Sequence, residues 1–464
     1  MKLSVFLLST TLLASGCTVG PNYKRPTVAV PGSYRGTIPE QAAQTKVAEF
    51  GDQKWWDIFQ DEQLRRLIRT ALAQNYDSRI AASRILEAQA QLGIARADQF
   101  PSLGTGGGIS DTRTAQSKFL PAFETSTGQV NLSAAWELDF WGKYRRATEV
   151  ARANLVASEW ARREVLSTLV ANVASAYFQL RALDLELEIS KRTLNSRQES
   201  LRLTRVLADG GSTSLLDVRQ AEQLVFTASA EIPVLEQQIE QQENFLSILL
   251  GQNPEDIPRG QTLTEQRQPP EVPPGLPSSL LERRPDIQQA EAQLVAANAE
   301  IGVARAAYFP QISLNGAGGF QSSALTNLFS GPAGAWSFGA SLAQPIFTGG
   351  RLRSQVRLAE ARQQTAVLSY QQSIQGAFRN VCDGLVAYRK TREFRTQQEL
   401  LFQSAEDAAR LSHMRYNGGV TGYLEVLTNE TNAFSTELGL AQARLDELLA
   451  VVQLYQALGG GWQQ

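Results

Sequence analysis

The strongest constraint on this chain is a seven-residue apolar repeat that runs from about Gly142 to Leu250. One arm carries Leu166, Val173, Leu180, Leu187, Leu194 and Leu201, and the other carries Val218, Val225, Ile232, Ile239 and Leu246. An apolar residue at every seventh position keeps one seam of a helix against a partner, so the repeat predicts two long helices packed as a coiled coil. The first arm has about 66 residues without proline and is expected to be roughly 100 Å long. The glycines at 210 and 211 predict a turn between the arms.

The composition favours a structural or transport role over catalysis. Lys and Arg total 44 against 46 Asp and Glu, and this balance lacks the basic excess of a nucleic-acid-binding surface. The single histidine, His413, argues against a histidine-based metal site or catalytic triad. Two cysteines, Cys17 and Cys382, are too few for a disulfide framework. We therefore expect no enzymatic activity, no metal, no cofactor and no nucleic-acid partner.

The N-terminus has the pattern of an export signal. Residues 1–16 begin with Met-Lys and continue with an apolar stretch from Val5 to Ala14, which predicts a secretory signal peptide. The small residues before Cys17 are similar to a bacterial lipoprotein processing site, and that similarity implies a covalent N-terminal lipid on Cys17. Thr18, which is not an aspartate, then implies sorting to the outer membrane. The alternative is an ordinary signal peptide cleaved nearby.

Residues 17–50 are rich in proline, glycine and polar side chains, and they predict an extended N-terminal arm without a core of its own. Helical periodicity follows at 54–72 and at 76–99. Trp55 and Trp56 at the start of the first helix are interpreted as packing anchors.

A period of two then predicts strands at about 103–111 and 129–140, with an exposed loop at 112–128 between them. The second of these strands has one apolar and one polar face and the length of a transmembrane barrel strand. A half-buried soluble hairpin has the same alternation and remains open at this point. Beyond the signal peptide the chain has no apolar run of 18 residues, so a spanning structure would have to be a β-barrel.

The sequence also repeats itself. Residues 203–250 align without a gap onto 411–458, an offset of 208 (411 − 203), and Gly210-Gly211 falls on Gly418-Gly419. We predict one repeat over 51–253, a Pro-rich linker over 254–281 and a second repeat over 282–464. The second repeat would contribute strands at about 311–320 and 335–344 and a helical hairpin at about 350–458, matching the first hairpin at about 142–250.

Four strands cannot close a barrel, because the smallest outer-membrane barrels have about eight, and open edges are not tolerated in lipid. Several chains must therefore pool their strands. The predicted fold class is mainly α with transmembrane β, in which a sheet of pooled strands continues into a cylinder of coiled helices.

Several segments resemble the outer-membrane factor family, the TolC-like exit ducts, and most closely its OprM-like lipoprotein branch. These segments are Cys17–Pro26, the Trp55-Trp56 region, Glu282–Asp286, Ile301–Pro310, Gln344–Arg351 and Tyr416–Leu424. The resemblance covers essentially the whole chain. It implies a homotrimer with a 12-stranded β-barrel in the outer membrane and an α-helical barrel in the periplasm. It also implies docking to a periplasmic adaptor, the membrane-fusion protein, which links the duct to an inner-membrane pump.

The implied function is passive export of small molecules as the outer-membrane channel of a tripartite, RND-type efflux system. The alternative is the same duct serving type I protein secretion. A third hypothesis, a coiled-coil lipoprotein that tethers the cell envelope, predicts no strands and conflicts with the alternating segments.

The resemblance assigns roles at the two helix turns. It implies that Asp209 and Tyr416 tie neighbouring coils together in the shut state, and that Gly210, Gly211, Gly418 and Gly419 belong to adaptor-docking turns. Asp217 and Glu425 would line an acidic entrance beside the apolar constriction residue Leu424. Both acids would also suit the first turn of a helix, where they favour its dipole, and the two interpretations are compatible.

The chain departs from OprM-like members at Thr428 and Thr431, which stand where those proteins carry an aspartate and an arginine. We therefore expect a gate held by fewer charged pairs. Two other patterns are rejected as sites. Gly104–Gly108 lacks the lysine of a phosphate loop, and Glu137 and Asp139 share the polar face of a strand.

Overall fold

The computed structural model describes residues 18–32, 34, 53–116, 118–119, 121–266 and 279–462. The predicted signal peptide, Cys17, most of the N-terminal arm and part of the linker lie outside these residues. The helices and strands, in chain order, are α1 Trp55–Ile58, α2 Glu62–Gln74, α3 Tyr76–Ala97, β1 Ser102–Thr114, β2 Phe123–Glu137, α4 Lys143–Asp209, α5 Leu215–Leu250, α6 Leu280–Arg283, α7 Pro285–Ala306, β3 Gln311–Ser322, β4 Gly334–Ala343, α8 Arg351–Asn417 and α9 Tyr423–Ala457. Two short 3₁₀ turns, Leu325–Asn327 and Gly331–Ala333, connect β3 to β4.

The duplication is visible in the lengths of the long helices. Helices α4 and α8 each contain 67 residues, and both their first and last residues differ by 208 positions (351 − 143 and 417 − 209). The returning helices α5 and α9 contain 36 and 35 residues. The tandem repeat therefore produces two nearly equal helical hairpins.

The chain divides into two compact units. The first contains Met1–Thr27, Arg84–Glu159 and Gln289–Gln371, and the second contains Val28–Ser83, Trp160–Gln288 and Gln372–Gln464. The first unit holds the sheet, and the second holds the helix turns and most of the buried apolar residues.

The sheet of the first unit is antiparallel throughout, in the order β1-β2-β3-β4. Its central pair joins the two repeats, because β2 pairs with β3 from Gly128↔Ser322 to Glu137↔Ser313. Directly paired residues lie on the same face of an antiparallel sheet, so the register sorts the side chains into two faces. One face carries the large apolar residues Leu103, Ile109, Val130, Leu132, Trp136, Ile312, Leu314, Phe320, Trp336, Phe338 and Leu342.

The opposite face carries small or polar residues, apart from Phe123 at the start of β2. On β2 and β3 these include Asn131, Ser133, Ser313 and Asn315. Within the chain the apolar face is largely uncovered, and Trp336 is 85% exposed. The predicted alternation of the strands is thus confirmed as a two-faced sheet.

The β-hairpin formed by β1 and β2 is longer than predicted. The range 112–128 was expected to be a loop. In the structure, residues 112–114 extend β1 and residues 123–128 extend β2, and the outermost pair is Thr114↔Phe123. Polar cross-strand contacts support this extension, including an ion pair of 3.2 Å between Arg113 and Glu124. The prediction failed because it took polarity as evidence of a loop, whereas backbone pairing here continues beyond the apolar residues.

At its other end β2 stops at Glu137, short of the predicted Phe140. The acidic residues after the apolar stretch turn to the start of α4. Glu137 accepts hydrogen bonds from Lys143 Nζ at 3.0 Å and Tyr144 Oη at 2.7 Å, and Asp139 accepts one from the Arg145 amide at 2.9 Å. Carboxylates stabilise the N-terminal turn of a helix, so these two residues form a junction between strand and helix.

Part of the N-terminal arm is held against the first unit by hydrogen bonds. Arg146 Nη2 donates to Asn22 Oδ1 at 2.8 Å, and Asn298 Nδ2 donates to the Pro21 carbonyl at 3.0 Å. Arg25 Nε and Tyr23 Oη both donate to Glu291 Oε1, at 2.8 and 3.1 Å. Residues 21–25 of the arm are therefore positioned by polar contacts, while Tyr34, farther along the arm, is buried in the core of the second unit.

The second unit contains the predicted coiled-coil seam. Leu166, Val173 and Leu180 are at most 2% exposed, and on the returning helix Val218, Val225, Ile239 and Leu246 are buried. Trp55 is buried in the same unit, and its ring centroid lies 5.3 Å from that of Trp56. The prediction of these residues as packing anchors therefore holds.

The linker between the repeats is partly structured. Its last predicted residues, 280 and 281, already belong to α6, and Leu280 is buried in the core. The described part contains Ile257 and Leu263, which are also buried in that core. None of the helices within the described residues combines the length and apolarity needed to cross a membrane.

Candidate functional site

The candidate site comprises the turns of the two helical hairpins, called here the first hairpin (α4–α5) and the second hairpin (α8–α9). In the first turn, the Ser212 amide donates to the Leu207 carbonyl at 2.8 Å and the Gly211 amide to the Ala208 carbonyl at 3.0 Å. Gly211 has φ +75°, a left-handed conformation that costs a residue with a Cβ atom. This is the Schellman pattern of a helix C-terminus.

The second turn reproduces this geometry at the equivalent positions. The Val420 amide donates to the Arg415 carbonyl and the Gly419 amide to the Tyr416 carbonyl, both at 2.9 Å. Gly419 has φ +68°. In each Gly-Gly pair the second glycine is therefore required by the backbone. The first glycine has an ordinary φ, and an added Cβ at Gly210 would lie 3.4 Å from the Val206 carbonyl oxygen, close to a normal contact.

Asp217 lies in the first turn of α5 and forms a capping box with Ser214. The Asp217 amide donates to Ser214 Oγ at 3.3 Å, and the Ser214 amide donates to Asp217 Oδ2 at 3.1 Å. The Thr213 hydroxyl donates to the same carboxylate oxygen. The hydrogen bond from Thr213, followed by those from Ser214, lowers the pKa of Asp217 below 3.8. The carboxylate therefore stabilises its own helix N-terminus.

Glu425, the equivalent acid of α9, has a related environment with one additional cation. It accepts a hydrogen bond from the Thr421 hydroxyl, and its Oε1 atom lies 2.9 Å from Arg415 Nε. Position 207, which is equivalent to Arg415, is a leucine. The second turn is therefore closed by an ion pair that the first turn cannot make.

A contact between a glutamate and a basic or imidazole side chain joins the two helices of each hairpin near its turn. In the first hairpin, Arg205 Nη2 donates to Glu222 Oε1 at 2.8 Å. In the second, His413 Nε2 lies 2.6 Å from Glu430 Oε1. The partners are 17 residues apart in both hairpins, and the pairs are equivalent at the offset of 208 (413 − 205 and 430 − 222). We call them the cross-arm pairs.

The two hairpins pack against each other through an apolar group called here the tip cluster. Its buried members are Leu201, Val218, Ala221, Val225, Tyr423 and Val426. The ring of Tyr416 packs at its margin, 5.4 Å from the Tyr423 ring and at 62° to it. Burial raises the pKa of the Tyr423 hydroxyl to about 12, so this residue contributes a neutral aromatic side chain at physiological pH.

A buried arginine lies beside the tip cluster. Arg197 Nη1 donates to the Leu224 carbonyl at 3.0 Å, and its guanidinium lies 4.9 Å from the centroid of the Phe434 ring. Burial lowers the pKa of Arg197, and the nearby Glu430 carboxylate opposes that shift. A cation from α4 thus faces the acid of the second hairpin.

The other residues assigned to the gate lie on the surface of this region. Asp209 is exposed at the end of α4 and makes no ion pair with any residue that the structure describes. Leu424 is 62% exposed. Asp209 and Tyr416 belong to different hairpins and are not in contact through any interaction found among the described residues.

Thr428 and Thr431 make no cross-helix latch within the described residues. The Thr428 hydroxyl donates to the Leu424 carbonyl at 2.9 Å, and the Thr431 hydroxyl donates to the Leu427 carbonyl at 2.8 Å. Both bonds run to the backbone four residues earlier in the same helix, a common arrangement for threonine in helices. Cys17, the predicted lipidation site, lies outside the described residues.

Tyr423 and the four members of the cross-arm pairs were not among the site residues predicted from the sequence. The pairs were detectable, because the repeat alignment places an acid 17 residues after a basic or imidazole side chain in both copies. Tyr423 had no such signal, since its equivalent, Leu215, is exposed.

Two long helical hairpins, produced by a tandem repeat and joined in sequence to a four-stranded two-faced sheet, define this chain as a subunit of the TolC-like channel class. The chain belongs to the outer membrane efflux protein family, whose model matches residues 67–252 and 276–460. Proteins of this family are channels or ducts and not enzymes.

Named relatives agree with this assignment. The probable efflux pump outer membrane protein TtgC of Pseudomonas putida is 38% identical over 472 residues, covering 99% of this chain and 95% of TtgC. The cation efflux system protein CusC of Escherichia coli K12 is 34% identical over 451 residues, covering 97% of each chain. The crystal structure of the Neisseria gonorrhoeae MtrE outer membrane channel in its open state has a TM-score of 0.86 at 32% identity, covering 96% of this chain and 99% of MtrE.

Proposed function

We propose that this protein is the outer-membrane channel of a tripartite efflux system, a passive duct that exports small molecules such as drugs or toxic compounds. The observation that carries this proposal is the two-faced sheet, continuous in sequence with two 67-residue helices that occupy equivalent positions in the repeat. Names of relatives that refer to efflux pumps, toluene, solvents and cations support the same function.

The sheet supports assembly into a homotrimer. Within the described residues, β1 and β4 each pair with one other strand, so each leaves one edge unpaired there. Three copies joined edge to edge would pool four strands each into a closed sheet of twelve. The uncovered face with Trp336, Phe338 and Leu342 would then meet lipid, and the face with Asn131 and Ser133 would line the lumen.

The exposed surface of the two helix turns is evidence for a periplasmic partner. Exposed apolar side chains surround both Gly-Gly pairs, namely Val206, Leu215, Leu216, Met414, Val420 and Leu424. Contiguous exposed apolar residues commonly mark protein–protein contacts. We assign the docking of the periplasmic adaptor to these turns, at Gly210, Gly211, Gly418 and Gly419, and the adaptor would link the channel to an inner-membrane RND-type pump.

The entrance is proposed to open when the adaptor loosens the hairpin ends. Asp209 and Tyr416 would hold neighbouring coils together in the shut trimer, while Asp217, Glu425 and Leu424 would line the constriction. Asp217 can serve there and in its capping box together, because a carboxylate has more acceptor sites than its three bonds occupy. The gate would rely on fewer cross-helix charges than OprM-like members use, since Thr428 and Thr431 bond within their own helix.

A covalent lipid on Cys17 would anchor the chain in the outer membrane of a Gram-negative cell, with the helices extending into the periplasm. This proposal rests on the residues before Cys17 and on Thr18 after it. The arm that follows is held to the first unit by Glu291 and Arg146, which suits a tether between lipid and channel.

The alternative function is the outer-membrane duct of a type I protein-secretion system. It would use the same body and differ in its partners. The relatives' names favour efflux.

The test combines copurification and transport. The affinity-tagged protein is purified from its native membranes after mild cross-linking, and the copurifying proteins are identified by mass spectrometry. We expect a periplasmic adaptor and an RND-type pump, together with increased accumulation of a dye such as ethidium in a deletion strain. Recovery of an ATP-driven exporter without an RND-type pump, with normal dye accumulation, would instead support the secretion duct.

A further inference from the structure

The two cross-arm pairs occupy equivalent positions but differ in chemistry. Arg205 and Glu222 close the first hairpin, whereas His413 and Glu430 close the second. His413 is the single histidine of the chain. An arginine stays charged at every physiological pH, while a histidine changes charge close to neutrality. The duplication therefore places a permanent cation in one hairpin and a titratable one in the other.

The surroundings of each acid differ as well. Glu222 also pairs with Arg219, whose Nη1 atom lies 2.6 Å from Glu222 Oε2, so two arginines hold it. The position equivalent to Arg219 is Leu427. Glu430 consequently has His413 as its one cross-arm cation, and its second oxygen, Oε2, is buried without a hydrogen-bond partner among the described residues.

The groups that face this pair come from four helices. Helix α8 contributes His413 itself, α9 contributes Glu430 and Tyr423, and α4 contributes the buried Arg197. Helix α5 contributes the Leu224 carbonyl, which accepts from Arg197. Arg197 attracts the Glu430 carboxylate but lies beyond ion-pair distance, and the Tyr423 hydroxyl is neutral at physiological pH. His413 is therefore the group of this cluster whose charge changes with pH.

The hydrogen bond between His413 and Glu430 determines how the contact between the arms changes with pH. The hydrogen bond to Glu430 raises the pKa of His413 above 6.5, and partial burial opposes this shift. A group whose pKa is raised by folding contributes stability that is fully present below its unfolded pKa and is lost as the pH rises through its folded pKa. The contact between the arms is thus stronger when His413 is protonated and weakens as the pH rises through its folded pKa, which lies above 6.5.

We propose that the second hairpin carries a proton-sensitive clasp, formed by His413 and Glu430, while the equivalent Arg205–Glu222 clasp of the first hairpin is insensitive to pH. Loss of the proton leaves Glu430, with its buried oxygen, facing a neutral imidazole across the hairpin. The arms of the second hairpin then separate more readily than those of the first. Any consequence for the channel entrance rests on the proposed function, but the clasp itself does not.

The first test is the titration of His413 by NMR. The full-length protein, purified in detergent with a tag that contains no histidine, is labelled with ¹³C,¹⁵N-histidine and gives one imidazole signal. We expect the wild-type pKa to lie above that of Glu430→Gln, while the matched variant Glu222→Gln leaves it unchanged. Equal pKa values in wild type and Glu430→Gln would overturn the proposal.

The second test is amide hydrogen exchange of the two hairpins, expressed as protection factors so that intrinsic exchange is corrected for pH. Between pH 6 and pH 8.5 the protection of residues 412–430 relative to 204–222 should fall by about two- to five-fold in wild type, the range expected for a half-exposed ion pair. His413→Arg, which copies the first hairpin, should remove the change. Arg205→His combined with Arg219→Leu, which copies the second hairpin, should give the first hairpin a similar pH dependence. A wild-type ratio that is constant over this range would refute the clasp.

Discussion

The ring of Tyr423 lies 5.4 Å from the ring of Tyr416, and the pair closes the tip cluster on the side of the second hairpin. Tyr423 is 4% exposed, whereas Leu215, its equivalent in the first hairpin, is 67% exposed. The repeat therefore places a core residue and a surface residue at the same position. The second hairpin contributes this aromatic anchor, which the first hairpin lacks.

Substitution of that anchor should loosen the hairpin ends. Tyr423→Ala removes a buried aromatic ring and should cost about 3 kcal/mol, because the cavity left in the tip cluster cannot fully collapse. The measurement is amide exchange of residues 412–430. Leu215→Ala is the control, and it should change the free energy of opening by less than about 0.5 kcal/mol. Similar effects of the two variants would contradict the asymmetry.

The Gly-Gly pairs should respond unequally to substitution. Gly211→Ala forces a Cβ atom into the left-handed conformation and should destabilise the turn by about 1 kcal/mol. Gly210→Ala should be nearly neutral, because its φ is ordinary and its added Cβ would make a near-normal contact. Exchange of the Ser212 amide, which donates to Leu207, reports the difference. An equal loss of protection in both variants would contradict the assignment of the Gly211 requirement to its φ.

Acid should weaken the first turn through Asp217. Its pKa is lowered by hydrogen bonds from Thr213 and Ser214, so its contribution is present above 3.8 and is lost as the pH falls through the lower folded pKa. Asp217→Asn should reduce protection of residues 212–220 at neutral pH and remove the decrease at low pH. Glu240→Gln, an exposed change on the same helix, should leave that decrease intact. An unaltered acid response in Asp217→Asn would exclude the capping box as its source.

The proposed latch can be tested by electrical recording. Combining Asp209→Ala with Tyr416→Phe should raise single-channel conductance in planar lipid bilayers, since these changes remove the polar groups assigned to contacts between neighbouring coils. Thr428→Ala should leave conductance unchanged, because the lost hydroxyl bonds to its own helix. Unaltered conductance in the double variant would count against Asp209 and Tyr416 as latch residues.

The lipid anchor has a direct chemical test. Cys17→Ala should abolish labelling of the protein by radioactive palmitate, because it removes the thiol to which the lipid is attached. Cys382→Ala should retain the label, since Cys382 is partly buried in α8 and packs against the core. Persistent labelling of Cys17→Ala would disprove the assignment.

Much of the fold could be predicted because it depends on local periodicity. The spacing of Leu166, Val173 and Leu180 predicts a buried seam whatever the partner helix is, and the structure buries all three. The Gly-Gly pairs predict the helix ends for a similarly local reason, since a left-handed residue is needed to terminate a helix in a Schellman turn. The ends of the strands were predicted less well, because backbone pairing from Thr112 to Thr114 does not require apolar side chains.

The features of the candidate site also differ in whether they could be predicted from local sequence. The two hairpins and the positions of their turns could be predicted from the sequence because each depends on residues close together in the chain, and the offset of 208 follows from comparing the two copies. The structure was needed to show that Tyr423 is buried while Leu215 is exposed, and that Glu430 contacts His413 while Glu222 contacts Arg205. These contacts depend on which face of each helix turns towards its neighbour, and that choice is made by packing between helices rather than by the pattern within one.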